Sequence, residues 1–570
     1  MRFKGARFFA LTVFAAGILS SPDTFSAEKE ATEVPSGIEV IGTTHTIAAF
    51  NSLSGPGAGL SNVPYVFDLT MFEYNWGGRQ TAVNGSGITT NTNYPLTEGD
   101  AVTHNTQIGI KTKLSDAWKA GAMAELYALG GDRTVGRVFG AQLPWDGFER
   151  ENGALETPHF AANFYHAFLE GDHGKFKHRF VGGTLPSSEL PEFSVKETNQ
   201  VRLGSLVWRL PMTNNSFFQK EEHKLIEGRH PIRGFDYIAD YEYAEGRHVH
   251  GEFFGGSIEP SFVSDLERDA FGGRVAADLA EGQIGVTFVE NDGLRPGGAF
   301  GENQNVWSID SSYRILPKLT PYLTFAGTDY EQEATGESHT GEALVAGVAY
   351  ETPWAATLKG QYQRVDENYD LMAYHKTEHY PSNFEGFQGQ AAFRLTDDLG
   401  VKGVFYLLEQ IERANPSGDM LFGDSYYSAA ANSEEGTIRV ERIEGDWKAL
   451  KDLSLFGYIE HAKFRKESPL AASQIDKDAY NFKVQASYKL TKDLALEAGF
   501  RRGFWAGNWG TMNFESYQDW SEAALNYKLG KHRHALVSYR HINFEDDIAA
   551  SLGRNDYEGH QVILEIKTEL

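Results

Sequence analysis

Cysteine is absent from all 570 residues. That absence excludes disulfides, thiolate metal sites, c-type haem attachment and a cysteine nucleophile. Beyond the N-terminus, no stretch approaches the roughly 18 apolar residues of a membrane-spanning helix, and the mean hydropathy is −0.41. Helical membrane proteins are thereby excluded. A membrane β-barrel is not, because half of each barrel strand is polar. Basic residues are scarce: 52 Lys and Arg stand against 78 Asp and Glu, for a net charge of −26. Such a deficit argues against nucleic acid as a partner and is compatible with divalent cations or a cation-attracting surface. The G-x-S-x-G, P-loop and H-E-x-x-H patterns are missing too, so no enzymatic role and no cofactor are expected.

What is abundant is glycine (60), phenylalanine (38) and tyrosine (26), as sheets with aromatic girdles require. The clearest pattern spans residues 480–500. Tyr480, Phe482, Val484, Ala486, Tyr488 and Leu490 alternate with Asn481, Lys483, Gln485, Ser487 and Lys489. After Thr491-Lys492-Asp493 the alternation resumes with Leu494, Leu496, Ala498 and Phe500 against Ala495, Glu497, Gly499 and Arg501. Period two means strand, since successive side chains point to opposite faces. Two such runs around a short polar turn make a β-hairpin. Each arm is about 10 residues, near what a tilted strand needs to cross a bilayer.

At the N-terminus, Arg2, Lys4 and Arg7 precede a short apolar run, and Thr24 and Ser26 suit a cut before Ala27. Residues 1–26 therefore read as a cleaved secretory signal. Its removal takes three bases and one acid, leaving 49 against 77. Residues 27–62, which contain Ser54-Gly55-Pro56-Gly57, read as a periplasmic segment and linker, and 63–570 as the barrel. A first strand is expected over 65–76, an external loop over 77–99, and a hairpin around Ser115-Asp116. Another hairpin is expected around Gly171-Asp172-His173-Gly174, and a strand over 201–209. From Phe271 onward tight turns recur near Glu281, Pro317, Thr352, Asp397, Lys451, Lys492 and Lys531, with much longer connections between them. Short turns on one rim and long loops on the other mark outer-membrane barrels. The expected fold is all-β: one large antiparallel transmembrane β-barrel of about 22 strands, with 18 to 22 open, short periplasmic turns and long extracellular loops.

A soluble sandwich also has one apolar and one polar face, but its strands are shorter. A ring this wide cannot be filled by side chains, so its inner face should be wet and its apolar face should meet lipid. Trp118, Trp354 and Trp447 lie beside tight turns, where an interfacial aromatic girdle belongs.

In these features the chain resembles bacterial outer-membrane porin-like barrels. Leu490-Thr491-Lys492-Asp493-Leu494, Leu395-Thr396-Asp397-Asp398-Leu399 and Leu450-Lys451-Asp452-Leu453 are similar to their periplasmic turns. The last ten residues are similar to their assembly signal, with Leu570 where an aromatic is usual. The resemblance implies outer-membrane location, lipid as the surrounding solvent, recognition of the last strand by the barrel-assembly machinery, and compatibility with a homo-oligomer. It implies a channel for passive diffusion of small polar solutes or ions. The alternative is a structural barrel that anchors a surface layer or sheathes a partner, such as a cytochrome, in its lumen.

If the apolar face points outward, Lys111, Arg274, Asp278, Lys359, Arg394, Lys402, Lys483, Glu497, Arg501 and Arg540 line the pore. Charged rings of this kind set the field that solutes cross. His248, His250 and Glu252 have i, i+2 spacing that could seed a metal site, but lumen or loop histidines are the reading favoured. His532 and His534, and the acidic pairs Asp546-Asp547 and Glu434-Glu435, read as solvated turns and loops. No metal site is expected.

Overall fold

A computed structural model describes residues 37–54, 80–84, 87–91, 99–131, 160–184, 232–258, 268–293, 301–332, 335–366, 368–369, 384–411, 436–466, 475–509, 512–546 and 556–569. The strands, in chain order, are β1 (Ile38–Ser54), β2 (Gln80–Asn84), β3 (Gly87–Asn91), β4 (Gly99–Lys113), β5 (Trp118–Gly131), β6 (Phe160–Asp172), β7 (Phe176–Thr184) and β8 (Ile232–Ala244). They continue as β9 (Arg247–Ile258), β10 (Arg268–Asp278), β11 (Gly282–Gly293), β12 (Glu302–Tyr313), β13 (Leu319–Gln332), β14 (Glu337–Glu351), β15 (Ala356–Val365) and β16 (Phe384–Thr396). The last eight are β17 (Leu399–Gln410), β18 (Gly436–Leu450), β19 (Leu453–Lys466), β20 (Ile475–Lys489), β21 (Leu494–Trp509), β22 (Met512–Gly530), β23 (Arg533–Asp546) and β24 (Tyr557–Glu569).

β1 and β4 to β24 form one 22-stranded antiparallel sheet, each strand beside its chain neighbour, and β1 pairs with both β4 and β24. The sheet is therefore a closed barrel with no free edge. β2 and β3 make a separate hairpin in the connection from β1 to β4. Both the start of β1 and the end of β24 lie on the rim with the tight turns, since Ile38 faces Thr112 and Thr43 faces Glu569. The expected turns at Ser115-Asp116 and at Asp397, Lys451, Lys492 and Lys531 all fall between paired strands.

One boundary needs correction. Residues 38–54, read from sequence as part of a linker, form β1, the strand that closes the ring. The barrel therefore begins at Ile38 rather than at residue 63. Its alternation is blurred because Ile38 and Val40 point out while Ile41 points in, so both faces carry apolar side chains. The strands expected over 65–76 and 201–209, like the signal over 1–26, lie outside the described residues.

The two faces of the sheet are chemically opposite. β11 alternates without a break: Ile284, Val286 and Phe288 are exposed, while Gly285, Thr287, Val289 and Asn291 are buried. The exposed set elsewhere includes Ile110, Phe387, Ile443, Ile459, Phe482 and Val484. A continuous exposed belt of this kind is incompatible with water and matches hydrocarbon. The buried set includes Glu125, Arg179, Asp236, Glu252, Gln304, Glu460 and Asn481. The apolar face is thus the outer one, and the protein has the architecture of an outer-membrane barrel. Trp447 and Trp354 are exposed at the turn-bearing rim. Trp118 lies there too, edge-on to His173 and His178 at 5.2 and 5.0 Å.

Candidate functional site

The inner wall carries the chemistry. All ten sequence-derived candidates occupy positions opposite the exposed apolar face, and the register shows what each meets. Arg274 on β10 reaches Asp310 on β12, with Nη2 donating to Oδ2 at 2.6 Å, and Nη1 donates to Thr287 at 3.2 Å. It crosses β11 at Gly285, where a Cβ would lie 2.3 Å from Arg274 Nη2. Only a residue without a side chain lets the guanidinium pass over the intervening strand.

The same device recurs on β14. The Tyr322 ring from β13 lies over Gly347, where a Cβ would be 2.3 Å from the ring. Its hydroxyl thereby donates to Gln361 Oε1 on β15 at 2.7 Å. Gln361 Nε2 in turn donates to Gln388 Oε1 on β16 at 2.9 Å. Lys359 sits 5.3 Å from the centre of the Tyr322 ring. A polar chain thus runs across four strands of the wall.

Lys402 pairs with Glu444 at 2.6 Å, and Arg442 with the same carboxylate at 3.0 Å. Arg442 also lies 3.8 Å from Glu460 and 3.8 Å above the Tyr458 ring. Asn481 Nδ2 donates to Glu460 at 2.9 Å. Arg540 lies 3.1 Å from Glu522 and donates to Gln561 at 3.2 Å. Lys483 and Arg501 are direct cross-strand partners. Lys483 is 6.0 Å from the Phe456 ring centre, and Arg501 is buried. Lys111 and Glu497 are half-buried. Arg394 is exposed, and its guanidinium donates to the Asp397 carbonyl at 3.3 Å. It lines a cavity of about 530 Å³ at the turn-bearing mouth with Asp446, Phe456, Gln485 and Ser487.

Asp278 belongs to a histidine cluster. His248 Nδ1 and His250 Nδ1 flank the two oxygens of Asp240 at 2.6 and 2.5 Å, and their rings stack at 5.7 Å. The His248 backbone N–H donates to Asp278 at 3.0 Å, Gln283 Nε2 donates to it at 3.1 Å, and His250 Nε2 is 3.7 Å away. Glu252, grouped with the two histidines by spacing, instead lies opposite Arg274 in the register and is buried. His532 is 3.7 Å from Glu569 in the last tight turn. Glu434, Glu435 and Asp547 lie outside the described residues.

Sequence reasoning named one side of these contacts and missed the other at Asp240, Asp310, Glu444 and Glu522, and it missed both members of the Arg442–Glu460 pair. Their inward parity along each strand is readable, but which strand stands opposite, and in which register, is not.

No protein-family model matches the chain, and no curated protein matches its sequence. Solved structures with similar chain traces are outer-membrane proteins. OccAB2 of Acinetobacter baumannii is 7% identical over 93% of this chain and 98% of its own, with a TM-score of 0.38. A ferric enterobactin receptor of Pseudomonas aeruginosa is 8% identical over 92% and 81%, at 0.44. An anion-selective porin of Comamonas acidovorans is 11% identical over 66% and 90%, at 0.30. Likeness at this level assigns this chain neither solute nor mechanism.

Proposed function

We propose that the barrel is an outer-membrane channel passing small polar solutes or ions down their gradients. The observation that carries this reading is the polarity of the closed ring: apolar side chains outside, and paired charges, amides and hydroxyls inside. A wall built this way holds water and sets selectivity by width and field rather than by chemistry. Rings of 22 strands enclose a wide lumen, so passage depends on how much of it stays open. Lys359, Gln361, Arg394, Lys402, Gln485 and Glu497 retain solvent contact on β15 to β21. They are the surface a solute would meet from the turn-bearing side. Both signs of charge stand on this strip, Lys359, Arg394 and Lys402 beside Glu444 and Glu497, which favours weak selectivity over strong exclusion.

Purified protein in planar bilayers under a salt gradient tests this reading. Open-channel steps support it, and their complete absence overturns it. Arg394→Glu, at an exposed position whose guanidinium bonds the Asp397 carbonyl, should move the reversal potential toward cations. An unchanged reversal potential would remove Arg394 from the conducting surface.

A further inference from the structure

On the outer face of the barrel, at the rim opposite the tight turns, β23 and β24 bring two imidazoles and a carboxylate together. His541 and His560 are direct cross-strand partners, and Glu558 is two residues before His560 on the same face. One ligand atom from each of the three lies within 4.8 Å of the other two. His541 Nε2 is 2.9 Å from Glu558 Oε1, and His560 Nε2 is 3.8 Å from the same oxygen. We propose that His541, Glu558 and His560 form a surface site for a divalent first-row metal ion such as Zn²⁺.

Three features carry this assignment. First, the donor set is two neutral nitrogens and one carboxylate oxygen, the mixture that borderline cations prefer. Tetrahedral zinc with bonds near 2.0–2.1 Å sets its ligand atoms about 3.3 Å apart. The separations of 2.9 and 3.8 Å bracket that value, so small side-chain rotations suffice.

Second, His560 is already oriented. Its Nδ1 lies 2.9 Å from the Tyr539 hydroxyl, which leaves Nε2 as the nitrogen turned toward Glu558. A ligating imidazole is characteristically held in this way through its other nitrogen. Tyr539 would act as a positioning residue, not as a ligand.

Third, the two rings stack at 5.0 Å on rigid, hydrogen-bonded strands, not on a loop. All three donors retain solvent access, so a metal can enter and water can fill the fourth position. The proposal does not depend on whether the barrel conducts.

The test uses the full chain folded in detergent micelles, dialysed against Zn²⁺, with bound metal counted by emission spectroscopy. The wild type should hold one more Zn²⁺ per chain than the His541→Gln/His560→Gln double variant. The heat-dependent gel shift of the folded barrel should be unchanged between the two. Tyr539→Phe should keep the count and weaken binding about 10- to 100-fold, as loss of an outer-shell partner does. Zinc count and affinity unchanged in the double variant would overturn the site. Displacement of the extra zinc by an equal concentration of Ca²⁺ would overturn its assignment to a borderline metal.

Discussion

Two arcs of the inner wall behave differently. Along β5 to β9 the dry stretch of the inner face reaches Glu170 and Arg179, close to the tight turns: Glu125, His166, Phe168, Glu170, Arg179, Asp236, Ile238, Glu252 and Phe254 are all buried, while Lys177, Asp240 and His248 nearer the turns keep solvent contact. Along β14 to β22 the wall is graded. Lys359 and Arg394 are exposed toward the turn-bearing rim, whereas Tyr406, Leu408, Glu460 and Asn481 are buried toward the other. The lesson is that inward parity is not the same as wetness. A charge in the dry arc must be matched by a neighbour, because an isolated buried charge is very costly. Charges on the wet strip can exchange a partner for water. Structural roles should therefore concentrate in the first arc, and solute contact in the second.

Substitutions along the wall can break this contrast. The largest effect is expected at Asp236, whose carboxylate lies 3.9 Å from the fully buried Arg179 guanidinium. Asp236→Ala should cost about 3 kcal/mol, since it removes one member of a buried ion pair. Urea unfolding in lipid vesicles measures it; a loss below about 1 kcal/mol would mean that water reaches this arc after all.

Gly347→Val on β14 comes next. The new side chain collides with the Tyr322 ring and should cost about 2 kcal/mol by overpacking. Tyr322→Phe, which removes only the hydroxyl that bonds Gln361, should cost about 1 kcal/mol. If the two variants proved equally stable, the ring would not be held across Gly347.

The smallest effect belongs to the rim, where Lys113 pairs with Asp116 at 2.7 Å in full solvent. The hydrogen bond and charge of Lys113 hold the Asp116 carboxyl below its ordinary range. With the folded value depressed, any stabilisation is present above the unfolded value and lost as pH falls through the folded one. Exposed pairs contribute little, so Lys113→Ala should raise the Asp116 titration toward normal in NMR while leaving the unfolding midpoint in place. A shifted midpoint would make the rim more than a solvated turn.

The hairpin at residues 480–500 shows how much of the fold was legible. Its apolar set, from Tyr480 to Leu490, is the exposed outer face, and its turn sits where the polar triplet stands. β1 was misread because apolar side chains on both faces erase the period. The inward parity of Lys402 was likewise visible, but its partner Glu444, which it shares with Arg442, was not. The metal-site candidate was hidden for the same reason: His541 and Glu558 are 17 residues apart, with no motif spacing between them.

Composition and period-two alternation alone determined an all-β chain with one greasy face, and tight turns against long connections determined its antiparallel meander. These are local properties, because each strand's side-chain direction depends only on its own backbone. Closure by β1, the glycine crossings at Gly285 and Gly347, the division into dry and wet arcs, and the meeting of His541, Glu558 and His560 were decided only in three dimensions. They depend on register between strands and on the curvature of the whole ring, and a one-residue slip would undo every one of those contacts while leaving the sequence pattern unchanged.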